Sequence, residues 1–143
     1  IGSVRRGTAT NLAFTQIGDQ FLLNDPPLDV NVTNLGTSAT LFELTVPSGL
    51  KVEALYNAYI SQSNDFVYIS SPDVLDEPPA ADGGAAGPLQ TVAAPNVTAI
   101  RGTGGNLRTF TNTSSQIRAR ADAASSFLDI ATLGWIDRRG RDD

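Results

Sequence analysis

The chain has no cysteine, no histidine and no methionine, and only one tryptophan in 143 residues. Without cysteine there is neither a disulfide framework nor a thiolate metal site. Without histidine, no Ser–His or Cys–His couple can be assembled. The chain starts at Ile1; a start methionine is not normally trimmed before so bulky a residue, so upstream residues are expected to have been removed or left out. No run approaches the roughly 20 apolar residues of a membrane span. The opening "IGSVRRGTAT" lacks the apolar core of a signal peptide.

Charge is sparse too. Charged residues make up 17% of the chain, against about 25% in an ordinary soluble domain. Thr, Ser, Asn, Gly and Ala fill the gap, as in β-rich chains with many turns. A net charge of -5 argues against nucleic-acid binding, which needs a basic face to release counterions. The basic residues are nine arginines and one lysine, Lys51. The planar arginine fork suits paired, partly desolvated contacts, so this bias points to interfaces.

Hydrophobic periodicity is that of strands. Phe42, Leu44 and Val46 alternate with Glu43 and Thr45, and after "PSG" Leu50, Val52, Ala54, Tyr56, Ala58 and Ile60 alternate with Lys51, Glu53, Leu55, Asn57 and Tyr59. Pro47-Ser48-Gly49 supplies the chemistry of a hairpin turn between them. "DFVYIS" is apolar on both faces, which suits a central strand or one covered by a partner. Residues 71–96, rich in Pro, Gly, Ala and Asp, form a long loop of the kind that often carries function. Further strands are expected at Val97–Arg101, Leu107–Thr111, Gln116–Ala121 and Phe127–Ile136, with "GTGG", "NTSS" and "DAAS" as turns. In "SQIRARA", Ile117, Ala119 and Ala121 point inward while Arg118 and Arg120 point outward.

The segment "NLAFTQIGDQFLLNDPPLDV", residues 11–30, has room for one short strand and a wandering connection, and residues 1 to about 11 read as an extended arm. The expectation is an all-β chain, a β-sandwich or jelly roll of about seven or eight short antiparallel strands. An N-terminal arm and connection occupy 1–39 and the sandwich 40–143.

Chemistry-bearing motifs are few. Glu43, Glu53 and Asp129 could pair as acid and base on a glycoside, but they read as the solvent-facing half of alternating strands. Asp73, Asp76 and Glu77 in "SPDVLDE" lack the spacing and central glycine of a calcium loop and read as a solvated loop. The glycine runs lack the lysine of a phosphate loop. No enzyme, cofactor or metal is expected.

Binding surfaces remain. Arg5 and Arg6 in the arm, Arg118 and Arg120 in one row, and Arg138, Arg139 and Arg141 at the end are candidate interface residues, together with Trp135. Tryptophan beside arginine is a recurrent hot-spot pairing; the alternative is an indole sealing the sandwich edge. Strict alternation puts Leu128, Ile130 and Ile136 on one face of the final strand, and Phe127, Asp129, Leu133 and Trp135 on the other. With the first face as core, Trp135 faces outward, to be buried by another subunit with Arg138 and Arg139 at the rim.

In "DFVYISSPDV", "TNTSSQIRARA" and "LGWIDRRGRDD" the chain resembles small virion structural proteins of tailed bacteriophages, over roughly residues 40–143. The resemblance implies a β-sandwich module that trimerises and decorates a head or sits on a fibre, and it assigns no residue a role. It favours a capsid decoration (cement) protein on the outer surface of the virion. Its partners would be the major capsid protein and copies of itself as a homotrimer, with no nucleic acid and no membrane. The alternatives are a tail-fibre or head-spike component, and a carbohydrate-binding module for which Tyr56, Tyr59 and Tyr68 are the candidate aromatics.

Overall fold

The structure is a computed structural model that describes residues 11–61, 66–79, 90–93 and 102–138. Ten strands and no helix occur among them: β1 Phe14–Ile17, β2 Gln20–Leu23, β3 Leu28–Val32, β4 Thr40–Glu43, β5 Glu53–Ser61, β6 Phe66–Ser70, β7 Gln90–Ala93, β8 Gly102–Phe110, β9 Gln116–Ala121 and β10 Phe127–Ile136. They form two antiparallel sheets, a β-sandwich. One has the order β1-β2-β10-β5-β8, with β3 also paired to β10; the other has the order β4-β9-β6-β7.

Alternation builds the core as expected along β5, β9 and the first half of β10. Ala54, Tyr56, Ala58 and Ile60 are buried from β5, and Leu128 and Ile130 from β10. They meet Val67 and Ile69 of β6 and Ile117, Ala119 and Ala121 of β9. The side chains of Arg118 and Arg120 lie on the other face of β9, as the period of two requires.

Three expectations change. First, residues 12–39 are not a connection. β2 and β3 share one edge of β10, β2 along Gly134–Ile136 and β3 along Leu128–Ala131. They contribute Phe21, Leu23 and Val30 to the core, so no boundary falls near residue 40. Residues 1–10, with the arm, lie outside the described residues, as does the strand expected at Val97–Arg101.

Second, Pro47-Ser48-Gly49 does not close a hairpin. β4 belongs to the four-stranded sheet and β5 to the six-stranded one, so this segment crosses between sheets. The crossing is anchored by Leu44 N–H to Ser115 O (2.9 Å) and Gly49 N–H to Thr113 O (2.7 Å). A carboxylate holds it further: Asp29 accepts from the Thr45 N–H (2.6 Å), the Thr45 hydroxyl (2.7 Å) and the Thr132 hydroxyl (2.5 Å). Charge-assisted bonds of this kind are the strong ones, and they tie the crossing to the middle of β10.

Third, "GTGG" is not a turn but the start of β8, paired with Tyr59–Ser61 and Ala58 of β5. Gly104 lies opposite Tyr59, and a Cβ there would sit 3.7 Å from the tyrosine ring and 3.2 Å from Ala58 O. "NTSS" is a turn, as its residues require. Asn112 Oδ1 accepts from the N–H groups of Ser114 and Gln116 (2.9 and 3.0 Å), an Asx arrangement, while Ser115 takes a left-handed φ of 62°.

Candidate functional site

Trp135 lies inside the chain's own core, at 0% exposure, stacked on Phe21. It is not an outward anchor. The cause is a bulge: β10 pairs with β5 through Thr132↔Tyr56 and then Gly134↔Leu55, so Leu133 is an extra residue. One extra residue exchanges the two faces of everything after it. Trp135 therefore joins Leu128 and Ile130 inside, and Ile136, expected in the core, turns outward. Gly134 makes the bulge feasible, because its φ is 154° and a Cβ would sit 1.9 Å from Phe21 O.

The other candidate residues separate. Arg118, 11% exposed, donates to Ser70 Oγ from Nε and Nη2 (3.1 and 2.9 Å) and to the Val74 and Leu75 carbonyls from Nη2 (3.0 and 2.9 Å). Arg120 donates to Thr37 O (3.0 Å) and to Asp76 (2.5 Å), and Asp76 also lies 3.4 Å from Arg118 Nε. The row is thus occupied by its own chain, clasping the 71–79 loop against the outside of the four-stranded sheet. Ser70, held by Arg118, is buried on this face of β6, and Tyr68 on the same strand is only 3% exposed. Arg5, Arg6, Arg139 and Arg141 lie outside the described residues.

Arg138 borders a different surface, the outer face of the six-stranded sheet. There the register aligns cross-strand rows. One row runs Ile17, Gln20, Ile136, Glu53, Phe110 and the next Leu22, Leu133–Gly134, Leu55, Arg108. Further along come Asn57 with Asn106, then Asp129 with Tyr59. Ile17, Phe110 and Tyr59 are exposed. Between the first two rows is a cleft of about 300 Å³ lined by Gln20, Leu22, Leu55, Asn106, Arg108, Leu133 and Ile136. The bulge builds it, by pushing Leu133 to the outside. At its rim Glu53 is shared by Arg138 (3.5 Å) and Arg108 (3.9 Å).

Of the tyrosines, Tyr56 is core, its hydroxyl 2.6 Å from Thr109 Oγ1; desolvation by burial raises its pKa well above the ordinary value, against the lowering effect of that hydrogen bond. Tyr68 is also buried, and its hydroxyl has no hydrogen-bond partner among the described residues. Tyr59 stands out on the sheet, beside the Asn57–Asn106 amide pair (3.1 Å). Asp73 pairs with Lys51 (2.7 Å), away from Asp76, so the acidic residues of "SPDVLDE" serve different cations. The outer face could not be read from the sequence because it depends on the bulge; its one signal was a glycine inside a strand pattern. Compared with known protein families and with curated proteins, the chain matches none, and what bears on its function is this arrangement of its own residues.

Proposed function

We propose that this protein is a structural component of a phage particle, a capsid decoration protein that docks through the outer face of its six-stranded sheet. The observation that carries docking is the apolar end of that face. Ile17, Leu22, Leu133, Ile136 and Phe110 lie in two adjoining rows on a rigid sheet, with guanidiniums at the rim. An apolar patch with a polar margin is the usual form of a protein-binding surface. The particle assignment is supported by the resemblance of "DFVYISSPDV", "TNTSSQIRARA" and "LGWIDRRGRDD" to virion proteins, which brings with it the coat protein and two further copies of this chain as partners.

Copy counting by mass spectrometry on purified virions tests it. A decoration protein occurs at copy numbers comparable with the coat protein, and a fibre or spike component at a small fraction of that. Absence from particles removes the assignment. One observation favours a second reading, glycan binding: Tyr59 is 44% exposed, with amides and Asp129 beside it on the sheet face. Glycan-array binding that Tyr59→Ala abolishes would establish it.

A further inference from the structure

The Arg118 clasp leaves one side chain in an unusual situation. Leu75 is 91% exposed, yet the backbone beneath it is held by Arg118 at two successive carbonyls and by Asp76 at two arginines. An exposed leucine on its own requires no explanation. This one, with exposed Val74 beside it, is carried on a loop whose ordering cost has already been met, which favours docking. On the opposite side of the sandwich lies the open cleft, lined by Leu22, Leu55, Leu133 and Ile136 together with Gln20, Asn106 and Arg108.

The two surfaces match in size and in charge. The cleft measures about 300 Å³, and a cavity of roughly 150 Å³ takes one benzene, so two aliphatic side chains fit. At the rim one carboxylate, Glu53, serves two guanidiniums, those of Arg108 and Arg138, which are 56% and 58% exposed. Beside Leu75, the Asp73 carboxylate pairs, among the described residues, with the exposed Lys51, a surface pair of little strength that is free to exchange partners.

We propose that the 71–79 loop of one copy seats Val74 and Leu75 in the cleft of a second copy, with Asp73 turned to Arg108. The contact joins two different surfaces, so copies add head to tail, closing as a ring or running on as a filament according to the angle. This rests on the outer face being an interface and names what fills its cleft.

Sedimentation of the full chain over a concentration series tests it. Leu75→Asp and Leu133→Asp should each weaken self-association by roughly tenfold or more. The deciding sample is their equal mixture. Leu75→Asp keeps an intact cleft and Leu133→Asp an intact loop, so at a concentration where each variant alone is monomeric the mixture forms heterodimers and stops there. Should Leu133→Asp fail to fold, Arg108→Glu serves as the cleft variant, with association restored by a partner copy carrying Asp73→Arg. A wild-type chain that is monomeric throughout overturns the proposal, as does a Leu75→Asp variant that associates normally or a mixture no larger than its components. Virion copy number is independent of these outcomes: a chain abundant in particles but monomeric in solution keeps the decoration reading and loses this contact.

Discussion

The indole of Trp135 lies flat on the ring of Phe21, with centroids 5.3 Å apart and planes 3° from parallel. Phe14 closes the pair edge-on, 5.4 Å from Phe21 and 5.9 Å from Trp135. The cluster joins β1, β2 and β10, so it fastens the N-terminal strands to the sheet. Trp135→Ala is expected to cost the isolated chain about 3–5 kcal/mol, read from urea unfolding. With Phe21→Ala the double-mutant coupling should be about 0.5–1.5 kcal/mol. Unchanged unfolding of the single variant would put the indole outside the core.

Gly134→Ala tests the bulge. At Gly49, where φ is 84° and nothing lies within 4 Å of an added Cβ, alanine should cost only the left-handed penalty, about 1–2 kcal/mol. At Gly134 the Cβ meets backbone, which cannot step aside as a side chain can. The loss there should clearly exceed that at Gly49 and be accompanied by a changed environment of Trp135 in near-ultraviolet circular dichroism. Equal losses at the two glycines would mean that β10 tolerates a straight path.

Arg118→Ala should loosen the 71–79 loop locally. Amide exchange at residues 74–76 is expected to accelerate strongly, while global stability falls by about 1–2 kcal/mol. Arg118→Lys should not restore protection, because a single ammonium cannot reach Ser70, two carbonyls and Asp76 in one fork. Rescue by lysine would reduce the clasp to a simple charge pair.

Tyr56 carries a pH dependence. Its folded pKa is raised by burial, so above about pH 10, where an unfolded tyrosine ionises, the unfolded chain releases a proton that the folded chain keeps. Stability is therefore whole below that pH and declines above it, by up to about 1.4 kcal/mol per pH unit for this group. Tyr56→Phe should flatten the alkaline decline in a series of unfolding curves, at a neutral-pH cost of about 1 kcal/mol for the lost hydrogen bond to Thr109. An alkaline limb as steep as that of the wild type would assign the effect to other groups.

The sandwich itself was legible because β5 and β9 are long enough for alternation to be unmistakable. What escaped were features that local pattern does not encode. β1 and β2 are four residues each, separated by Gly18 and Asp19, too short for a period to emerge. Pro47-Ser48-Gly49 has turn chemistry whether the chain folds back or passes to the other sheet, and only the partners of Leu44 and Gly49 decide between them. In β10 the alternation is correct up to Thr132 and inverted after it, so Trp135 and Ile136 exchanged places. The arginine row did point outward as its period required, but which carboxylate it meets depends on the path of a loop.

β10 also bears on how the chain is made. It lies between β5 on one side and β2 with β3 on the other, yet follows all of them in sequence. On a ribosome those strands emerge with their edges unpaired and wait for the central one, and the longest loops must close late. Release of nascent chains stalled before residue 127 should therefore yield protease-sensitive, aggregation-prone material rather than a partial sandwich.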